Sequence, residues 1–136
     1  MAMFVVDRAS ASMKPFEGPG TYLVTLVKTE GMITPKGDSV VRLTFRSAQG
    51  HSVSDNMFNT EKSWWRVNQL LVACPAITVP DGEELDFTKN KTFDEFLARF
   101  VGQKLQVKLE AESYVKNGET KTALRVQRFL PDDNPF

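Results

Sequence analysis

The clearest signal in the chain is an alternation. From Asp38 to Ser47, Val41, Leu43 and Phe45 fall on one face of an extended segment, while Val40, Arg42, Thr44 and Arg46 fall on the other. That is the period-two pattern of a strand buried on one side. Thr21–Glu30 before it is rich in β-branched and aromatic residues and predicts a first strand. It ends at Gly31, and Thr34-Pro-Lys-Gly37 supplies the turn. Beyond a second turn at Gln49-Gly50, His51–Phe58 reads as a third, more polar strand, completing a meander.

The period then changes. Over Glu61–Cys74, Trp64, Val67, Leu70, Leu71 and Cys74 share one helical face. Asn59 or Thr60 is placed to cap its start, and Pro75 ends it. Residues 75–91 predict a long irregular loop, of a length often tied to function. Thr92-Phe-Asp-Glu95 has capping-box spacing, with Phe93, Phe96, Leu97 and Phe100 at helical intervals and Gly102 as the stop. Alternation returns over Gln103–Ser113, where Leu105, Val107, Leu109 and Ala111 share a face. Asn117-Gly118 predicts a tight hairpin, and Lys121–Leu130 a fifth strand. The order β-β-β-α-β-β, with helical material between strands three and four, predicts a mainly β, five-stranded OB-fold barrel. A split pair of small sheets is the alternative. Residues 1–17 read as an N-terminal arm, 18–130 as the folded domain and 131–136 as an acidic tip.

The chain's 136 residues suffice for one domain with its own core. Its one cysteine, Cys74, excludes an internal disulfide and a cysteine-cluster zinc site. No signal peptide or membrane-spanning run is legible, and the expectation is a soluble protein of the cytoplasm. Basic and acidic residues balance at 17 each, which by itself argues against a phosphate-binding surface. The distribution argues the other way. Residues 99–128 hold Arg99, Lys104, Lys108, Lys116, Lys121, Arg125 and Arg128 against Glu110, Glu112 and Glu119, a local surplus of four positive charges.

Catalysis is not expected. There is no phosphate loop, nucleophile motif, metal-ligand spacing or cofactor motif. His51 near Asp55 reads as a surface histidine, and Cys74 as a core residue. Binding of single strands needs cations for phosphate and rings for bases. Arg42 and Arg46 form a cationic row on the outward face of strand two. Lys36 belongs to loop 1–2, and Tyr114, Lys116 and Lys121 to loop 4–5. Tyr114 is read as stacking on a base or capping the barrel. Phe58 ends strand three as a further stacking candidate. Trp65 lies about 100° from Trp64 on the helix. It is either an exposed stacking platform or, the favoured expectation, buried beneath the 75–91 loop.

Gly20-Thr-Tyr22, the helix with Trp64, Asn68 and Leu70, and the Phe96–Lys104 run before strand four resemble small phage single-stranded DNA-binding proteins with an OB barrel. The last residues, Pro131-Asp-Asp-Asn-Pro-Phe136, resemble the acidic tip of bacterial single-stranded DNA-binding proteins. Here Asn134 stands where that tip has Ile, only two acids precede it, and no long Gly/Gln/Pro-rich linker intervenes. The resemblance implies a non-catalytic, sequence-independent single-stranded DNA-binding protein of replication, recombination or repair. It further implies that Asp132, Asp133, Pro135 and Phe136 recruit replication or recombination proteins, and it leaves room for a homodimer. The rival expectation is an interaction adaptor for a replication enzyme with little DNA affinity of its own. RNA is open too, since stacking logic is shared.

Overall fold

The alternating segments form the strands they predict. A computed structural model describes residues 14–133. A two-residue β1 (Lys14–Pro15) is followed by β2 (Gly20–Ile33), β3 (Ser39–Arg46) and β4 (His51–Phe58). A short 3-10 turn (Glu61–Ser63) leads into α1 (Trp64–Ala73), then α2 (Asn90–Ala98), β5 (Lys104–Lys116) and β6 (Glu119–Pro131). The five long strands pair antiparallel in the order β4-β3-β2-β5-β6, and β1 adds a short parallel edge to β4. The described residues are therefore mainly β, one sheet with two α-helices. Among the described residues no ladder joins β4 to β6, so the sheet is not closed by backbone pairing.

The core lies on the inner face of that sheet. Leu26, Leu43, Phe45, Met57, Leu105, Val107 and Leu109 meet Val67 and Leu70 of α1 and Phe93, Phe96 and Leu97 of α2 there. The β5–β6 turn takes positive φ at Asn117 (53°) and Gly118 (78°), as a hairpin turn matching strand twist requires. Among the described residues no helix is long and apolar enough to cross a membrane.

Several boundaries shift. Order begins before Gly20: β1 pairs with β4, and Phe16 is buried against the Tyr22 ring at 4.5 Å. Residues 1–13 of the expected arm lie outside the described residues. The first strand runs past Gly31 to Ile33. Thr92 is the third residue of α2, not its cap, and no side-chain cap bond forms at Lys89. Thr60 takes the N-cap position of the 3-10 turn at Glu61 but makes no side-chain cap bond, Ser63 holds that position for α1, and Asn59 caps neither. Asn59 instead accepts from Trp64 Nε1 at 3.0 Å and donates to the Phe87 carbonyl, tying the helix start to the loop. Ala111, expected inside, is exposed because the hairpin outruns the helices that cover the inner face.

The open seam between β4 and β6 is bridged by α1. Gln69 accepts from the backbone N–H of Phe129 on β6 at 2.9 Å. Arg66 donates to the Asp55 carboxylate on β4, and its guanidinium stacks 5.2 Å from the Phe129 ring centroid. One helix thus serves groups on both edges, which an open sheet otherwise exposes. Burial pushes the Asp55 carboxyl above the ordinary range, and the Arg66 charge offsets part of that rise.

Candidate nucleic-acid interface

β3 has a buried inner side and an outer side that carries Arg42, Thr44 and Arg46 toward solvent. Its neighbours complete that outer face. On β4, Arg46 sits opposite Ser52, Thr44 opposite Ser54 and Arg42 opposite Asn56. On β2, a register shift between Leu26 and Lys28 leaves Val27 as an extra residue. Such a bulge reverses which side of the sheet the following residues face. Lys28, Glu30 and Met32 therefore join the outer side, opposite Thr44, Arg42 and Val40.

The result is a groove of about 510 Å3 lined by Val27, Lys28, Glu30, Arg42, Thr44, Arg46, Ser52 and Ser54. Its lining holds three cations against one carboxylate. Glu30 approaches Lys28 at 3.8 Å, both well exposed, so the contact is screened and weak. The remaining polar atoms are hydroxyls, with Thr44 and Ser54 3.5 Å apart. Guanidinium, ammonium and hydroxyl groups are the side chains that bond phosphate oxygens. A second hollow, lined by Leu23, Val27, Arg46 and Lys104 among others, continues the surface past Arg46.

The expected site residues separate into three groups. Arg42 and Arg46 share the groove. Phe58, 39% exposed, ends the same face in the row Met32–Val40–Phe58. Lys36 is exposed on the turn beyond that row. This row also corrects the reading of Val40, which points outward yet is buried, since Met32 and Phe58 flank it across the sheet. Tyr114 and Lys121 form a cross-strand pair on the β5–β6 hairpin, with Lys116 nearer its turn. A further concavity of about 470 Å3 runs between Phe16–Pro19, Ser52–Val53 and Ala111, Thr122, Ala123 and Leu124. Ser52 lines both this concavity and the groove, but Tyr114, Lys116 and Lys121 line neither. Tyr114 is 39% exposed and so does not cap the core.

Trp65 is corrected as well. It is 58% exposed. The loop after α1 packs on the side of Trp64 and Leu71 instead, and a residue one step along a helix points about 100° away. Trp65 belongs to α1, apart from the groove. At the other end of the chain, Pro131 still pairs with Leu105, and Gln106 donates to the Asp132 carbonyl at 3.2 Å. Asp132 and Asp133 are exposed. Pro135 and Phe136 lie outside the described residues.

Of the groove residues, Val27, Lys28, Glu30, Ser52 and Ser54 were not singled out from the sequence. Alternation along β4, in register with the outward row of β3, was enough to find Ser52 and Ser54. Lys28 depends on the bulge, which leaves no mark in the sequence. Cys74 is buried, its thiol pushed up to about 11 by burial and by the nearby Asp132 charge. It is therefore a protonated core group at neutral pH. Among the described residues no cluster of His, Cys, Asp and Glu is arranged to hold a metal. The chain matches no protein-family model and no curated protein.

Proposed function

We propose that this chain binds single-stranded DNA without sequence preference across the outer face of β2, β3 and β4. The carrying observation is the groove, with three cations and three hydroxyls on an open sheet face. Those groups meet phosphate rather than base edges, which favours sequence-independent binding. The strand order β4-β3-β2-β5-β6, with helices between the third and fourth long strands, supports reading the fold as a five-stranded OB barrel left open between β4 and β6. Such barrels bind oligonucleotides on this face. Phe58 supplies a ring at one end, while among the described residues no ring lines the groove itself. Phosphate contact therefore contributes more of the affinity than stacking does. The segment from Asp132 onward serves in this reading as a docking tip for replication or recombination proteins.

The test is a fluorescence-anisotropy titration with labelled oligonucleotides at low salt. Arg42→Ala with Arg46→Ala should weaken binding about tenfold or more, equally for unrelated sequences. Its unfolding midpoint should stay that of the wild type, since both side chains lie on the outer face. Single-stranded DNA should outcompete duplex. Normal binding by the double variant moves the site elsewhere. No binding by the wild type at low salt turns the reading to the adaptor, which needs only the tip.

A further inference from the structure

The outer face of the sheet is not polar throughout. Along β2, Val24 and Leu26 point into the core, while Leu23 and Val27 face out, 50% and 40% exposed. These two line a hollow of about 340 Å3 together with Thr25, Arg46, Ala48 and Lys104. Apolar side chains gathered in a concavity are a seat for another apolar segment. Phosphate gains nothing from them.

The chain carries such a segment ahead of β1. Met1–Val6 reads Met-Ala-Met-Phe-Val-Val, and Asp7-Arg8 and the small residues Ala9-Ser-Ala-Ser12 separate it from Lys14. The direction of β1 says where that segment comes from. β1 runs parallel to β4, with Lys14 opposite His51. Since β4 begins at His51, the chain reaches Lys14 from the side of the 47–50 turn. The hollow lies at that turn. Ser47 donates its N–H to the His51 carbonyl at 2.8 Å, and Ser47 and Ala48 line the hollow. The concavity beside Phe16–Pro19 and Ser52–Val53 lies the other way along the chain from Lys14. The order β1-β4-β3-β2 puts three strand spacings between Lys14 and β2, roughly 14 Å at about 4.8 Å each. From Val6 to Lys14 an extended chain spans roughly 26 Å, at about 3.3 Å per residue. The inner face of the sheet is filled by α1 and α2, so the outer face is the one left to this segment.

We propose that Phe4-Val5-Val6 dock into this hollow, against Leu23 and Val27 of their own chain. A segment on so short a tether stands at an effective concentration on the order of millimolar. At micromolar protein it therefore prevails over the same segment of a second copy. Val27 and Arg46 line the groove as well as the hollow, so the docked segment walls the groove at its Arg46 end. The inference rests on the apolar hollow and on the direction and length of the chain, and is independent of the nucleic-acid reading.

The experiment is disulfide trapping in the full, DNA-free chain. Cys74→Ala removes the native thiol, and Phe4→Cys, Val5→Cys or Val6→Cys is combined with Val27→Cys. The reference combines the same three substitutions with Val72→Cys, a position 69% exposed on α1. In a glutathione redox buffer at about 10 μM protein, at least one Val27 combination should close within single chains, at an effective concentration about tenfold or more above its Val72 reference. Non-reducing electrophoresis separates single chains from cross-linked dimers. Equal closure with Val27 and Val72 overturns the proposal. So does closure between chains, which puts the segment on a second copy. Phe4→Asp with Val6→Asp keeps Cys74 and gives an independent reading. In amide NMR spectra it should shift Val24, Val27 and Ala48 and leave Val67 and Leu70 of α1 in place. Unmoved resonances around the hollow overturn the proposal, even where the cysteine variants fail to fold.

Discussion

At Gly31 the side chain of Asp94 on α2 comes close to β2. A methyl group built there would lie 2.5 Å from Asp94 Oδ2 and 2.8 Å from its Cγ. Its backbone takes no positive φ, so the demand is for space rather than conformation. Gly31→Ala should therefore push the Asp94 carboxylate aside, and because that side chain can move the cost should stay within about 0.5–1 kcal/mol, read from the urea midpoint. Asp94→Ala in the same chain should recover most of that loss, since it removes the carboxylate the methyl meets. Burial raises the Asp94 carboxyl above its ordinary 3.8, and its Oδ1 has no hydrogen-bond partner. The folded chain thus holds this proton more tightly than the unfolded chain. The group's contribution to stability falls as pH rises from 3.8 through the raised folded value, and is flat above it. Asp94→Asn should shrink that fall in a pH series of thermal melts. None of this was legible in sequence. Gly31 read as a strand end and Asp94 as part of a capping box, because close approach between distant residues leaves no local pattern. The outward row Arg42–Thr44–Arg46 was legible, because alternation is local.

Among the elements, α1 does the least predictable work. Its apolar stripe announced a helix packed on the core, and Val67, Leu70 and Ala73 are buried accordingly. Its polar residues gave no hint that they span a gap. Arg66 meets Asp55 with both side chains more than four-fifths buried, and stacks on Phe129 across the seam. Gln69 satisfies a β6 backbone donor. Arg66→Ala leaves Asp55 without its partner and exposes the seam. It should cost about 2 kcal/mol, below the 3–5 kcal/mol of a fully buried pair. Asp55→Asn should cost less, because burial already favours the uncharged carboxyl. Amide exchange should quicken in β6 near Phe129 in the arginine variant, while the β2–β3 hairpin stays protected. Equal loss of protection throughout would mean that α1 stabilises the fold as a whole rather than this edge. The strand order was within reach of the sequence, since a meander and a hairpin leave few arrangements. The open seam was not, because closure depends on a few residues of strand length and twist.

For the whole molecule, the balance of charges hides their placement. The outer groove gathers Lys28, Arg42 and Arg46, with Lys36 on the turn beyond it and Lys104 in the adjoining hollow. The acids of the 81–86 loop border a separate cleft against α1. Net charge summed over the chain is zero and misstates what a phosphate backbone meets locally. With three to five of these cations in contact, the logarithm of affinity should fall against that of salt with a slope of about −2 to −3.5, taking about 0.7 per phosphate for single strands. The slope also tests the placement residue by residue. Lys28→Ala and Arg42→Ala should each make it shallower by about 0.7, with no change among unrelated sequences. Asp81→Lys with Glu83→Lys shifts net charge upward by four but should leave the slope of the protein at low concentration unchanged, because those positions touch no phosphate in this reading. If that variant steepens the slope as much as the groove variants flatten it, binding follows total charge rather than the groove. A slope near zero for the wild type would remove phosphate contact, and with it this face, from the mechanism.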